Sequence, residues 1–366
     1  MKIVYIISRL NNAGPVNQLY SLIGWMKDHQ ECIIYTLYPE NDDTRIGDFQ
    51  KINVRIRCAD ICSQYNIVFM RKKISKMLKE DVPDIVHTEG LPADLIMARH
   101  NRSVIWCSTL HSNIYCDYKL GLPKVKAYVY KKLHEYCIKR MNVIIACSFS
   151  ISDEYKKRFP NKKVIAIQNG VCVTKRNKEY EKIEAGVNKK ILVIGSLNAR
   201  KNSLFIIESL MEWVKIRKVL LIFLGDGEMY AECKEKAATN PFIILKGKVS
   251  NVEDFLKESE ICISASYSEG LPMAVIEAGM AGNKLVLSDI PQHKELGMYK
   301  NVEGIYYFKN NNKFDLVDKL DQAINSKERR EAISEYFYLN FSNSNMGKKY
   351  NDVYRELLGM NNDIRI

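Results

Sequence analysis

The sequence predicts an α/β protein of two domains, each built on a mostly parallel β-sheet. Three observations predict this. Short β-branched runs alternate with stretches of helical periodicity along the whole chain. The runs are almost continuously apolar rather than alternating, which marks strands buried on both faces, as in a parallel sheet covered by helices. The 366 residues also exceed the length at which one hydrophobic core stops growing, roughly 250–300 residues.

The first half supplies the strand candidates KIVYIIS, CIIYTLY, VRIRCAD, DIVHTEG, SVIWCSTL, NVIIACS and KVIAIQNG. Helical spacing lies between several of them, as in residues 16–27 and 68–79. A charged stretch poor in apolar residues follows at 174–190 and reads as a linker. The pattern then restarts with ILVIGSL, VLLIFLGDGE, FIILKGKV, ICISAS, KLVLSD and GIYYF. The division is therefore a first domain over 1–173, a linker over 174–190 and a second domain over 191–344. The C-terminal helix, 345–366, carries Tyr350, Val353, Tyr354, Leu357 and Leu358 at helical spacing. It is expected to pack back on the first domain. Two successive strand–helix repeats imply two Rossmann-like domains facing each other across a cleft, with ligands at the carboxyl ends of the strands.

Composition excludes several classes. The opening MKIVYIISRL has a short apolar run and no small-residue cleavage site after it, so a buried first strand fits better than a signal peptide. No stretch approaches the ~20 apolar residues of a membrane span. The expected location is cytoplasmic, or peripheral on the inner face of the cell membrane. Ten cysteines form no C-x-x-C pair, and Cys58 with Cys62 has no matching His or Cys pair nearby. Most lie in apparent strands or helices, as Cys32, Cys107, Cys147 and Cys262 do, and read as small buried apolar residues in a reducing compartment. Charge is uneven. Residues 1–180 hold 29 Lys and Arg against 17 Asp and Glu, whereas the remainder holds 26 of each. The two domains therefore face different partners.

The chemistry concentrates in SEGLPMAVIEAGMAG, residues 268–282. Gly270 permits an unusual turn, and Pro272 suits the start of a helix. A helix from about 272 to 281 would aim its first N–H groups and positive dipole end at the ligand crevice, a ready anion site. Glu277 shares a face with Met273, Met280 and Ala281, so it is a carboxylate on an apolar background that needs a hydrogen-bonding partner. The vicinal hydroxyls of a ribose are one such partner, and Lys284 is another.

The string E-G-L-P-M-A-V-I-E-A resembles the E-x7-E signature of retaining family-4 glycosyltransferases (glycosyl transferases group 1) of the GT-B fold. The likeness extends over nearly the whole chain through ILVIGSLNARKN, FLGDGEMY, LKGKV, QNGV and STLHS, in the family's order. It implies that Glu269 contacts donor-sugar hydroxyls and that Glu277 holds the ribose. Gly270, Leu271 and Met273 would offer backbone N–H groups to the diphosphate, and Lys201 would neutralise it as it leaves. His111 would line the sugar pocket, Gly14 would approach from the loop 11–17, and Gly247 and Lys248 would lie beside the base. The chain departs from the pattern at Ser196, where the family usually has Arg. Whether Arg200 substitutes or faces solvent stays open on sequence. Further departures are Ala13-Gly14 for the family's Gly pair and Cys172 for an Asp. The other five histidines receive no role. Asp226 and Glu228 read as a tight turn, no metal triplet is evident, and neither metal nor cofactor is expected.

The resemblance implies transfer of a sugar from a nucleoside-diphosphate sugar to a hydroxyl of a saccharide or lipid-linked acceptor, with retention, in bacterial surface polysaccharide or glycolipid synthesis. A glycosidase-like double displacement suits the pair poorly, because Glu277 belongs to the nucleotide helix and Glu269 is assigned to hydroxyls away from the reacting carbon. A sugar-nucleotide epimerase or a phosphorylase on the same fold is the alternative. A nucleic-acid-binding protein would need its basic residues to line one groove with stacking aromatics, and no such motif is present. Residues 119–140 hold seven Lys and Arg against one acid, interleaved with Tyr128, Tyr130 and Tyr136, and 71–79 form a second basic helix. Both are candidates for docking on an anionic membrane.

Overall fold

The computed structural model describes residues 1–60, 67–100, 104–172, 189–300 and 302–360. Most of the expected linker, Cys62 and the last six residues lie outside them. The chain divides into two compact units, Met1–Cys172 with Ser342–Ile366, and Val173–Phe341.

The first unit holds one parallel sheet of β1 (Lys2–Ile7), β2 (Glu31–Thr36), β3 (Arg55–Cys58), β4 (Ile85–Glu89), β5 (Ile105–Leu110), β6 (Val143–Ala146) and β7 (Lys163–Ala166). The strand order is β3-β2-β1-β4-β5-β6-β7. Each of the seven apolar runs supplies one strand. Both faces are buried because helices cover both. Val4, Ile6, Val86 and Trp106 pack into one core, while Ile3, Tyr5, Ile85 and Cys107 pack into the other. The order reverses between β1 and β4, so the loops leaving them part there and leave a crevice.

The second core is closed by two helices, Gly14–Met26 and the C-terminal Asn343–Leu357, which pack on each other. The latter buries Met346, Tyr350, Val353 and Tyr354. It is tied to the end of the first segment by the Asn343 N–H, which donates to the Val171 carbonyl at 2.9 Å.

The second unit holds β8 (Lys189–Ile194), β9 (Val219–Leu224), β10 (Ile243–Leu245), β11 (Ile261–Ser264), β12 (Lys284–Ser288) and β13 (Ile305–Phe308). They form a parallel sheet in the order β10-β9-β8-β11-β12-β13. β8 begins at Lys189, inside the stretch that the sequence reads as linker. The two lysines lay their stems along the sheet and reach acids ahead of β11, Lys189 to Glu260 at 2.8 Å and Lys190 to Glu258 at 2.9 Å. Charge at the strand's start hid it. The switch point of this sheet lies between β8 and β11.

Glycines stitch the loops at its carboxyl edge. Gly195 and Gly225 have φ of +139° and +144°, where only glycine is comfortable. The Gly225 N–H donates to the Gly247 carbonyl at 2.8 Å, and the Gly195 N–H donates to Leu224 at 3.0 Å. A Cβ on Gly225 would lie 2.0 Å from the Gly195 carbonyl oxygen. Among the described residues no helix is long and apolar enough to cross a membrane. The described cysteines are free thiols, and six of them are buried.

Candidate active site

β11 carries the chain to the switch point of the second sheet, and the signature segment follows directly. The helix there runs Met273–Met280, with Pro272 as its N-cap in an extended conformation. Proline thus sits one residue ahead of the first turn that the sequence predicts for it.

Glu269 is the electrostatic centre. It is 5% exposed, and its carboxylate accepts three hydrogen bonds. Lys201 Nζ donates to Oε1 at 2.6 Å, Ser266 Oγ donates to Oε1 at 2.6 Å, and Arg200 Nη1 donates to Oε2 at 2.9 Å. Burial alone would raise its pKa. Lys201, then Arg200, then the hydrogen bonds outweigh that and hold the carboxyl at about 2. Arg200, left open by the sequence, turns inward and also donates to the Ser268 carbonyl at 2.7 Å. Ser196 is exposed, so the second cation at this site is Arg200.

The loop after β8 fixes the Lys201 backbone and stem. Asn198 Oδ1 accepts its backbone N–H at 3.0 Å. Its stem runs past Gly195, where a Cβ would come within 3.3 Å of Lys201 Cε. Below them, burial pushes the Cys262 thiol of β11 up to about 12, with Lys201 drawing it down and Glu277 raising it. Both charged side chains therefore act on the same strand. Glu277 is half-buried on its helix. Lys284, the rival partner, is buried at the start of β12, and its ammonium donates to the carbonyls of Ala323 at 2.8 Å and Ser326 at 2.9 Å. Gly270, Leu271 and Met273 are buried where the chain enters the helix. Gly247 takes φ +68° in the loop after β10, with Lys248 exposed beside it.

Sequence reasoning passed over His293. It is fully buried, and Nδ1 donates to the Ser288 carbonyl at 2.9 Å. Ser288 Oγ donates to the Ser266 carbonyl at 2.7 Å, which links this histidine to the serine that holds Glu269. Burial lowers the imidazole to about 4 against the opposing pull of Glu269, so it is neutral.

The first unit has its own cavity of about 350 Å³ at the β1–β4 switch point. The loop after β1 lines it with Arg9 and Asn11, β4 with Glu89, and the loop after β5 with His111. Gly14 is exposed at the start of its helix, between Ala13 and Pro15, which line the same cavity. His111 Nε2 lies 2.5 Å from Glu89 Oε2. Glu89 was also missed. Its signal was the final carboxylate in DIVHTEG, at the carboxyl end of an otherwise apolar strand. Among the described residues, no three His, Cys, Asp or Glu side chains converge as a metal site requires.

The basic stretches of the first unit become the helices Ile67–Asp81 and Lys124–Ile138. Both pack against the helix Leu91–Met97, on the same face of the sheet. Lys124–Ile138 buries His134, Cys137 and Ile138. It leaves Val125, Tyr128 and Val129 exposed among its lysines. Lys131 and Lys132 lie 5.5 and 5.7 Å from the Tyr128 ring, and Arg140 lies 5.0 Å from that of Tyr136.

Comparison with known proteins identifies the family and the fold. The family model "Glycosyltransferase Family 4" matches residues 17–175, and "Glycosyl transferases group 1" matches residues 188–326. The chain is 24% identical to the O-antigen biosynthesis glycosyltransferase WclY of Escherichia coli, over 98% of this chain and 99% of that protein. It is 27% identical to the E. coli UDP-Gal:alpha-D-GlcNAc-diphosphoundecaprenol alpha-1,3-galactosyltransferase, over 59% of this chain and 60% of that protein. The solved structure of Anabaena Alr3699/HepE in complex with UDP and glucose superposes with a TM-score of 0.76 at 12% identity, covering 96% of this chain and 99% of that one. With the two family models spanning the bulk of both units, the chain belongs to the family-4, group 1 glycosyltransferases of the GT-B fold.

Proposed function

We propose that this enzyme transfers a sugar, with retention at the anomeric carbon, from a nucleoside-diphosphate sugar to a hydroxyl of a lipid-linked or saccharide acceptor in surface polysaccharide assembly. The observation that carries the reading is the buried Glu269 carboxylate, held by Lys201 and Arg200 beside the start of the helix Met273–Met280. Donor diphosphate placed at that helix start meets the backbone N–H groups of Gly270, Leu271 and Met273 and the two cations. Glu277 takes the ribose hydroxyls, Glu269 takes sugar hydroxyls, and Gly247 and Lys248 flank the base. Charge that develops on the departing diphosphate is stabilised by Lys201, Arg200 and the helix dipole, and the same phosphate accepts the acceptor's proton. Cationic side chains thus serve where a metal otherwise would, so EDTA is expected to leave turnover unchanged. The UDP of the Anabaena complex and the diphosphoundecaprenol-linked substrate named for the E. coli relative support the donor and acceptor classes.

Thermal shift against UDP, GDP, ADP and CMP, then their sugars, tests the donor site. A ligand at a hundredfold its Kd should stabilise the protein by ~2.7 kcal/mol. Failure of every nucleotide to raise the melting temperature would remove the donor reading.

The same chemistry points to the inner membrane face. Tyr128, Val125 and Val129 would sit at the headgroup level with lysines around them, each worth about 1 kcal/mol on an anionic surface. Vesicles with anionic lipid should sediment the protein at low salt and release it at 1 M, where the screening length falls to about 3 Å. Binding that ignores salt, or none at all, would count against electrostatic docking.

A further inference from the structure

We infer that Glu89 is a positioning residue that fixes the tautomer and direction of His111, so that His111 presents Nδ1 to a hydroxyl of a ligand held in the first unit's own cavity. This rests on the proposed transfer reading, with that ligand one of its substrates.

Strand geometry assembles the pair. Side chains alternate along a strand, so His87 and Glu89 share one face of β4. Register pairs Glu89 with Thr109 of β5, and His111 lies two residues further on. Glu89 Oε2 therefore meets His111 Nε2 at 2.5 Å. Behind the carboxylate, His87 Nε2 lies 2.8 Å from Thr109 Oγ1 and 3.4 Å from Glu89 Oε1, and His87 Nδ1 lies 2.6 Å from the Tyr354 hydroxyl of the C-terminal helix. The Thr109 hydroxyl in turn lies 2.9 Å from that of Tyr350. Buried polar side chains thus stand between the C-terminal helix and the one member of the set that is partly exposed in the cavity, His111.

Chemistry selects the tautomer. An ionised carboxylate only accepts, so Nε2 carries the proton, and Nδ1 is the acceptor whenever the ring holds a single proton.

Histidine-selective ¹⁵N labelling of the full chain, read by long-range ¹H–¹⁵N NMR, tests this without substrate. The expected result is His111 in the Nε2–H tautomer, converting to a mixture in Glu89→Gln. In transfer assays the folded Glu89→Gln variant should lose kcat by roughly 100-fold, as misplacement of a reacting group does, with donor KM little changed. Tyr354→Phe, a milder change at the far end of the chain, should shift the His87 signals and lower kcat less. An Nδ1–H tautomer in the native chain, or a Glu89→Gln variant with unchanged tautomer and turnover, would overturn the inference. A native chain with the expected tautomer that consumes no nucleotide sugar would support the dyad and overturn the transfer reading instead.

Discussion

Lys201→Ala should lower kcat by about 10²- to 10³-fold, or roughly 3 kcal/mol, the cost of removing one preorganised donor from developing negative charge. The size of the effect follows from how the ammonium is held. Its backbone is pinned by Asn198, its stem lies against Gly195, and its Nζ sits 2.6 Å from Glu269. It needs no reorganisation when the diphosphate leaves. The fold should survive, because Arg200 and Ser266 still satisfy the carboxylate. Steady-state kinetics at saturating donor, with circular dichroism as a control on folding, checks this. Near-normal turnover by the folded variant would remove Lys201 from the chemistry.

Glu269→Ala should abolish transfer and also destabilise the second unit, by about 3 kcal/mol or more, because it leaves two buried or half-buried cations without their shared partner. The pH dependence of that loss is set by the sign of the shift. The Glu269 carboxyl stands at about 2 in the folded protein against an ordinary 4.5. Its stabilising contribution is therefore fully present above about 4.5 and disappears as pH falls toward about 2. Urea unfolding of both proteins should show a wide gap at pH 7 that narrows steadily through pH 4 and 3. A gap that stays constant with pH would mean the carboxylate's charge is not what stabilises the site.

Much of this was legible before any coordinates. Among the described residues each strand falls on one of the candidate runs, most of them apolar because strands covered on both faces must be, whereas the edge strand β3 carries Arg55 and Arg57 and buries no side chain. The signature helix was legible from glycine, proline and a carboxylate in an apolar setting. What sequence hid was mostly pairing across distance. Nothing in the run ARKN says that Arg200 turns inward, since that depends on Glu269, 69 residues away. Glu89 and His111 are 22 residues apart and meet only through the register of β4 on β5. His293 receives no role on sequence until its serine relay to Glu269 is seen. The start of β8 escaped because Lys189 and Lys190 look like linker until their partners appear.

The most direct test is ¹H NMR of the reaction itself. The full chain is incubated with the nucleotide sugar that stabilises it and with membranes carrying lipid-linked acceptor, and the anomeric signals of donor and product are followed in time. The expected result is loss of the donor signal and growth of a product of the same anomeric configuration, both suppressed by Lys201→Ala. A product of inverted configuration would contradict retention, and the absence of consumption of any donor would contradict glycosyl transfer at the Glu269–Lys201 site.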